Sequence, residues 1–267
     1  MPFPLSGGSQ PGKFTGTPAA AQQKIPLPEI IAESDRLFNL NNAAAVGEHL
    51  RKWRSQAQQI GDKSGELSLL SELMGHYRMA GNRTAALAAV RDGLALISEL
   101  DISGTVSCGT ILINAATALQ AFGEFTQAMR YYTEAFRCYQ TNLEPDDWRF
   151  AGLLNNMAGA CSANGDYALA EDYYQKALKV LAAGNNLMDS AVTWVNLAQL
   201  YDMQDPTDQR INEALDRAEA CFDHPAAERN GYYAHTCSKC ASAFGLFGRE
   251  NFEAELKSRA EDFYARS

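Results

Sequence analysis

The chain reads as an all-α solenoid of antiparallel helix hairpins, about six of them, and three observations predict it. From residue 27 onward the apolar spacing follows the 3.6-residue helical period, and strand signals are nearly absent. Three glycines, Gly81, Gly123 and Gly165, recur at a constant step of 42 residues (123 − 81 and 165 − 123). Three further positions keep that step: Ala86, Ala128 and Ala170; Val90, Tyr132 and Tyr174; Gly93, Ala135 and Ala177. A step shared by four positions marks an internal repeat. The residue types give it a geometry. Glycine accepts the left-handed backbone of a tight helix–helix turn, a small residue lets two helix axes approach, and an aromatic ring fills the gap that remains.

The elements follow in order. Residues 1–26 are rich in Gly, Pro, Ser, Thr, Ala and Gln with little to bury, so a flexible tail is expected there. Residues 27–267 read as a single solenoid. It opens with a capping hairpin over 27–61 that turns Val46, Leu50 and Trp53 inward. Repeats then fill 65–248, where first helices carry sets such as Leu70, Leu73, Met74, Tyr77 and Leu154, Met157, Ala158, Cys161. The residues that lengthen the step fall in stretches such as 142–147, where Pro145 stops one helix and aspartates offer an N-cap to the next. The fourth unit has an insertion around Asp205–Asp208, and the fifth keeps Gly248 but has Glu253 or Ala254 where a small residue belongs. A capping helix over 250–266 closes the stack, its Glu253, Glu255, Lys257, Arg259, Glu261 and Asp262 predicted to form a solvated outer face.

Composition limits the function. The 267 residues are 46% hydrophobic, with no apolar run of about 20 residues and no apolar leader, so a soluble cytoplasmic protein is expected. A formal charge of −9 gives neither nucleic acid nor an anionic membrane an electrostatic reason to bind. The six cysteines are spread through helical patterns and read as reduced, buried, small apolar residues.

The segment Trp194-x-x-Leu197-Ala198-x-x-Tyr201 resembles the first-helix signature of the tetratricopeptide repeat. Gly165-Asp166-Tyr167-x-x-Ala170-x-x-x-Tyr174-x-x-Ala177-Leu178 resembles its turn and second helix. The resemblance runs from about Gly65 to the C-terminus. The step of 42 exceeds the usual ~34, and Leu154-Asn155-Asn156-Met157-Ala158 is similar to the long repeats of kinesin light chains. The resemblance implies a right-handed superhelix whose first helices line a concave groove.

In that family the position two before the small residue of the first helix faces the groove and commonly holds asparagine. By register it falls here on Glu72, Asn114, Asn156, Asn196 and Lys239. A carboxamide both donates and accepts, so a row of them suits a peptide backbone of any sequence. The neighbouring groove candidates are Arg78, Thr117, Gln120, Asn155, Gln199 and Ser242. Equally, the amides could bond only to adjacent helices and set the superhelix. Cations are too few and too far apart for the two-carboxylate clamp of co-chaperone repeats.

Cys221-x-x-His224 and Cys237-x-x-Cys240 have a spacing that zinc modules also use. Their place on helical core positions favours packing, so no metal and no cofactor is expected. His76 and His235 lack a nearby nucleophile with an orienting carboxylate, and no glycine-rich phosphate loop is present. The expectation is a non-enzymatic scaffold for a protein or peptide ligand. The alternatives are a self-associating homo-oligomeric module and a peptide-sensing regulator.

Overall fold

A computed structural model describes residues 23–40 and 42–266. Of the tail expected over residues 1–26, residues 1–22 lie outside the described residues. Ile25, also expected in the tail, is instead buried, and its N–H donates to Asp62 Oδ2 at 3.0 Å.

The described residues form twelve helices and no strand. They pair as six antiparallel hairpins: α1 (Leu27–Asn39) with α2 (Ala43–Ile60), α3 (Lys63–Met79) with α4 (Arg83–Glu99), and α5 (Val106–Ala121) with α6 (Phe125–Asn142). The stack continues with α7 (Arg149–Ala163) and α8 (Tyr167–Ala183), α9 (Leu187–Gln204) and α10 (Arg210–Asp223), and α11 (Gly231–Leu246) and α12 (Glu250–Tyr264). The architecture is that of a tetratricopeptide-like α-solenoid.

Local chemistry explains the helix ends. Asn42, Asp62, Asn82, Thr105 and Asn230 each accept the backbone N–H three residues on, satisfying a donor that the first turn leaves unpaired. Gly81, Gly123 and Gly165 sit in the hairpin turns with φ of 66°, 80° and 84°, a region that a side chain disfavours. The 42-residue step therefore marks the turns, as the sequence predicts.

Within each hairpin the repeated small residues lie at the helix contact. Ala86, Ala128, Ala170, Ala135 and Ala177 are all fully buried. Gly93 is required more closely: a Cβ there would stand 2.7 Å from Met74 Cε. Tyr132 and Tyr174 fill the space beside these contacts, and burial pushes each phenol up to about 12. The terminal helix departs from its expected solvated face at Arg259, whose guanidinium reaches Asp223 at 2.6 Å and Tyr233 Oη at 3.0 Å. Packed against α11, α12 uses that arginine to hold the end of α10.

The two helices of a hairpin differ in how they meet their neighbours. The first helices touch in series, α3 against α5, α5 against α7, α7 against α9 and α9 against α11. Among the described residues no two second helices make a comparable contact. A stack that is closed along one row and open along the other must curve, with first helices inside and second helices outside.

Candidate functional site

The register residues all lie on first helices: Glu72 on α3, Asn114 on α5, Asn156 on α7, Asn196 on α9 and Lys239 on α11. Glu72 and Lys239 are exposed, and the three asparagines are half-buried. Their bonding divides them. Asn114 Nδ2 donates to Ser71 Oγ at 2.6 Å, joining α5 to α3. Asn156 and Asn196 make no side-chain hydrogen bond among the described residues, and neither carries a sealed, unsatisfied polar atom. Their carboxamides are open to water.

The neighbours divide in the same way. Asn155 Nδ2 donates to Ala151 O at 3.2 Å and to Thr193 Oγ1 at 2.9 Å, which joins α7 to α9. Its Oδ1 is buried without a partner, an arrangement that costs stability. Tyr132 Oη donates to Gln120 Oε1 at 2.8 Å and lies 3.1 Å from Thr117 Oγ1, so Thr117 and Gln120 serve the contact between α5 and α6. Arg78 is half-buried on α3, and its charge acts on the Tyr132 phenol. Gln199 on α9 and Ser242 on α11 are exposed.

Glu72 has a perturbed carboxyl on this face. It is exposed, yet desolvation by the surrounding protein raises its carboxyl above the ordinary value, and Asp35 adds to the rise.

The residues weighed for zinc are not assembled. Cys237 and Cys240 are buried on α11, half-buried Cys221 lies on α10, and exposed His224 accepts the Ala226 N–H on Nδ1 at 3.1 Å. No group of three or more metal-binding side chains occurs among the described residues. No described helix is long and apolar enough to cross a membrane.

Sequence reasoning missed the outer face. One pocket of ≈ 390 Å³ opens between α6 and α8, with Phe136, Phe150, Leu154 and Val180 on its apolar walls. A second, of ≈ 520 Å³, opens between α8 and α10 beside Trp194 and Arg217. Trp194, the first residue of the first-helix signature, is half-buried there, with the Arg217 guanidinium 4.9 Å from its ring centroid. The signal available in the sequence was the segment that lengthens the repeat, since Leu143 and Pro145 close one side of the first pocket.

Comparison with known proteins agrees with the geometry. The tetratricopeptide repeat family matches residues 109–148 and 149–209. Similar solved structures include a putative kinesin light chain from Podosopora anserina with nearly identical TPR-like repeats, at 17% identity and a TM-score of 0.51 over 75% of this chain and 95% of that one. RapI in its apo form gives 11% identity and a TM-score of 0.62 over 92% of this chain and 86% of that one. A Rap protein complexed with Competence and Sporulation Factor gives 13% and 0.60 over 90% and 75%. At such identities the likeness concerns the fold. No curated protein matches the sequence. Residues 109–209 thus match tetratricopeptide repeats, and the fold of the chain is similar to that of the kinesin light chain repeats.

Proposed function

We propose that residues 27–267 act as one non-enzymatic scaffold that holds an extended segment of a partner protein along the inner face of the first helices. The observation that carries this reading is the pair Asn156 and Asn196. They stand on α7 and α9, which touch, and their carboxamides are unused while those of Asn114 and Asn155 tie helices together. An amide left free on a concave surface can donate to and accept from a peptide backbone. The same fold in a Rap protein is complexed with Competence and Sporulation Factor, which supports a ligand-holding role.

Two amides supply about 2 kcal/mol net, whereas micromolar binding needs about 8. Exposed Glu72 and Lys239, lying towards opposite ends of the row, give a bound segment opposite charges to meet and so a preferred direction. The test is a double variant, Asn156→Ala with Asn196→Ala, compared with Asn114→Ala. The double variant should lose ligand capture at an unchanged melting temperature, while Asn114→Ala should also lower that temperature. A double variant that melts early with capture intact would make the row structural.

A second reading, self-association, is favoured by exposed apolar side chains near the C-terminal ends of several first helices: Leu40, Met79, Met203 and Leu246. Light scattering that gives a monomer mass at every concentration would remove it.

A further inference from the structure

The two pockets on the outer face lie on adjacent flanks of one helix. On α8, residues 176 and 180 line the pocket towards α6, and residues 175, 178 and 182 line the pocket towards α10. At 100° per residue these sets fall on different flanks, and Lys179, which lines both pockets, stands on the crest between them.

The lining is unusual for this chain. Among 32 acidic and 23 basic residues, no Asp or Glu lines either pocket, while Lys176, Lys179 and Arg217 do. Lys176 is neutralised by Asp172 at 2.6 Å. Lys179 and Arg217 form no ion pair among the described residues, and Arg217 instead covers the Trp194 ring. Two unpaired cations thus flank apolar hollows in a protein of charge −9.

We propose that this outer face is a second binding surface, separate from the inner groove, for an acidic segment of a partner protein. Two bulky apolar side chains of that segment enter the pockets on either side of α8, and an acidic residue between them pairs with Lys179. Three observations converge on this occupant. Pockets of ≈ 390 and ≈ 520 Å³ are within the range of sites that hold a defined group. A helix with its side chains is about 10–12 Å across, a span of about three extended residues, so neighbouring anchors of one short segment reach both pockets. The charge is complementary to a negative segment and selects against the positive ones that the rest of this acidic surface attracts. Asn185, Asn186 and Ser190 on the rim of the second pocket offer polar groups to the backbone of such a segment.

The test uses dye-labelled eight-residue peptides with two leucines flanking three aspartates, read by fluorescence anisotropy with the full chain. Saturable binding is expected. It should weaken about tenfold with Lys179→Glu and recover with Lys179→Arg, as expected of a charge at the contact. Alanine for either leucine, or lysine for the aspartates, should weaken binding at least as much. The Asn156→Ala, Asn196→Ala double variant should bind these peptides as the parent does, which separates this surface from the inner face. Melting curves of Lys179→Glu should match the parent, showing that the fold is kept. Absence of saturable binding, indifference to Lys179→Glu, or loss of binding in the asparagine variant would each overturn the proposal.

Discussion

The inner and outer faces are made from the same repeat and are held by different chemistry. Along the inner face, helices are close enough for side chains to cross between units, Asn114 to Ser71 and Asn155 to Thr193. Small residues allow this approach, with Ala115, Ala116 and Ala118 of α5 all fully buried. Along the outer face, α6, α8 and α10 make no comparable contact with one another, and the gaps between them keep mostly apolar walls. A solenoid's curvature thus creates two kinds of surface at once. The compressed side uses some of its polar groups, Asn114 and Asn155, in linking units, and the stretched side leaves hydrophobic hollows.

Four substitutions test whether the two faces differ in this way. The largest effect is expected where the two rows are joined. Tyr132 is fully buried and bonds to the first helix of its own hairpin through Gln120. Tyr132→Ala should destabilise by about 3–5 kcal/mol in denaturant unfolding, the usual loss for a large aromatic core residue. A loss under about 1 kcal/mol would mean that the hairpins hold together without it.

Next comes a direct contrast of the faces. Thr193 is fully buried on α9 and accepts from Asn155, so Thr193→Val should lower stability by about 1–2 kcal/mol by leaving a buried amide under-satisfied. Lys179→Glu on the outer face should stay within about 0.5 kcal/mol of the parent, the ordinary range for a surface change away from a core or cap. Equal losses at the two sites would erase the distinction.

The smallest effect concerns Glu72. Desolvation on the inner face, with help from Asp35, makes its carboxyl bind a proton more tightly in the folded than in the unfolded chain. Its contribution therefore favours folding as pH falls through the window between the unfolded value, about 4.3, and the raised folded one, and opposes folding above that window. Glu72→Gln should raise the melting temperature slightly at pH 7, and the gain should vanish near pH 4. A gain that persists at pH 4 would show that the carboxylate charge is not its cause.

The repeat, the turns and the small residues at the helix contacts were all legible in the sequence. Glycine at Gly81, Gly123 and Gly165 and alanine at Ala128 and Ala170 answer to local backbone geometry and to volume, and both leave a period in the chain. The candidate groove was legible only as a register. The spacing placed Asn114, Asn156 and Asn196 at corresponding positions, but it could not say that Asn114 reaches Ser71 while Asn156 reaches nothing. That depends on which residue stands 43 positions earlier on a neighbouring helix, and no local pattern records it.

By itself, the sequence determined a helical hairpin stack, its turn positions and the residues that the first helices carry. The tertiary structure alone decided which amides are consumed between units, that Trp194 borders an outer hollow, and that Lys179 stands between two apolar pockets. The reason is physical. Periodicity reports how a residue relates to its own helix, whereas a hydrogen bond or a pocket depends on how far neighbouring hairpins rotate against one another. That rotation is set jointly by packing all along the stack.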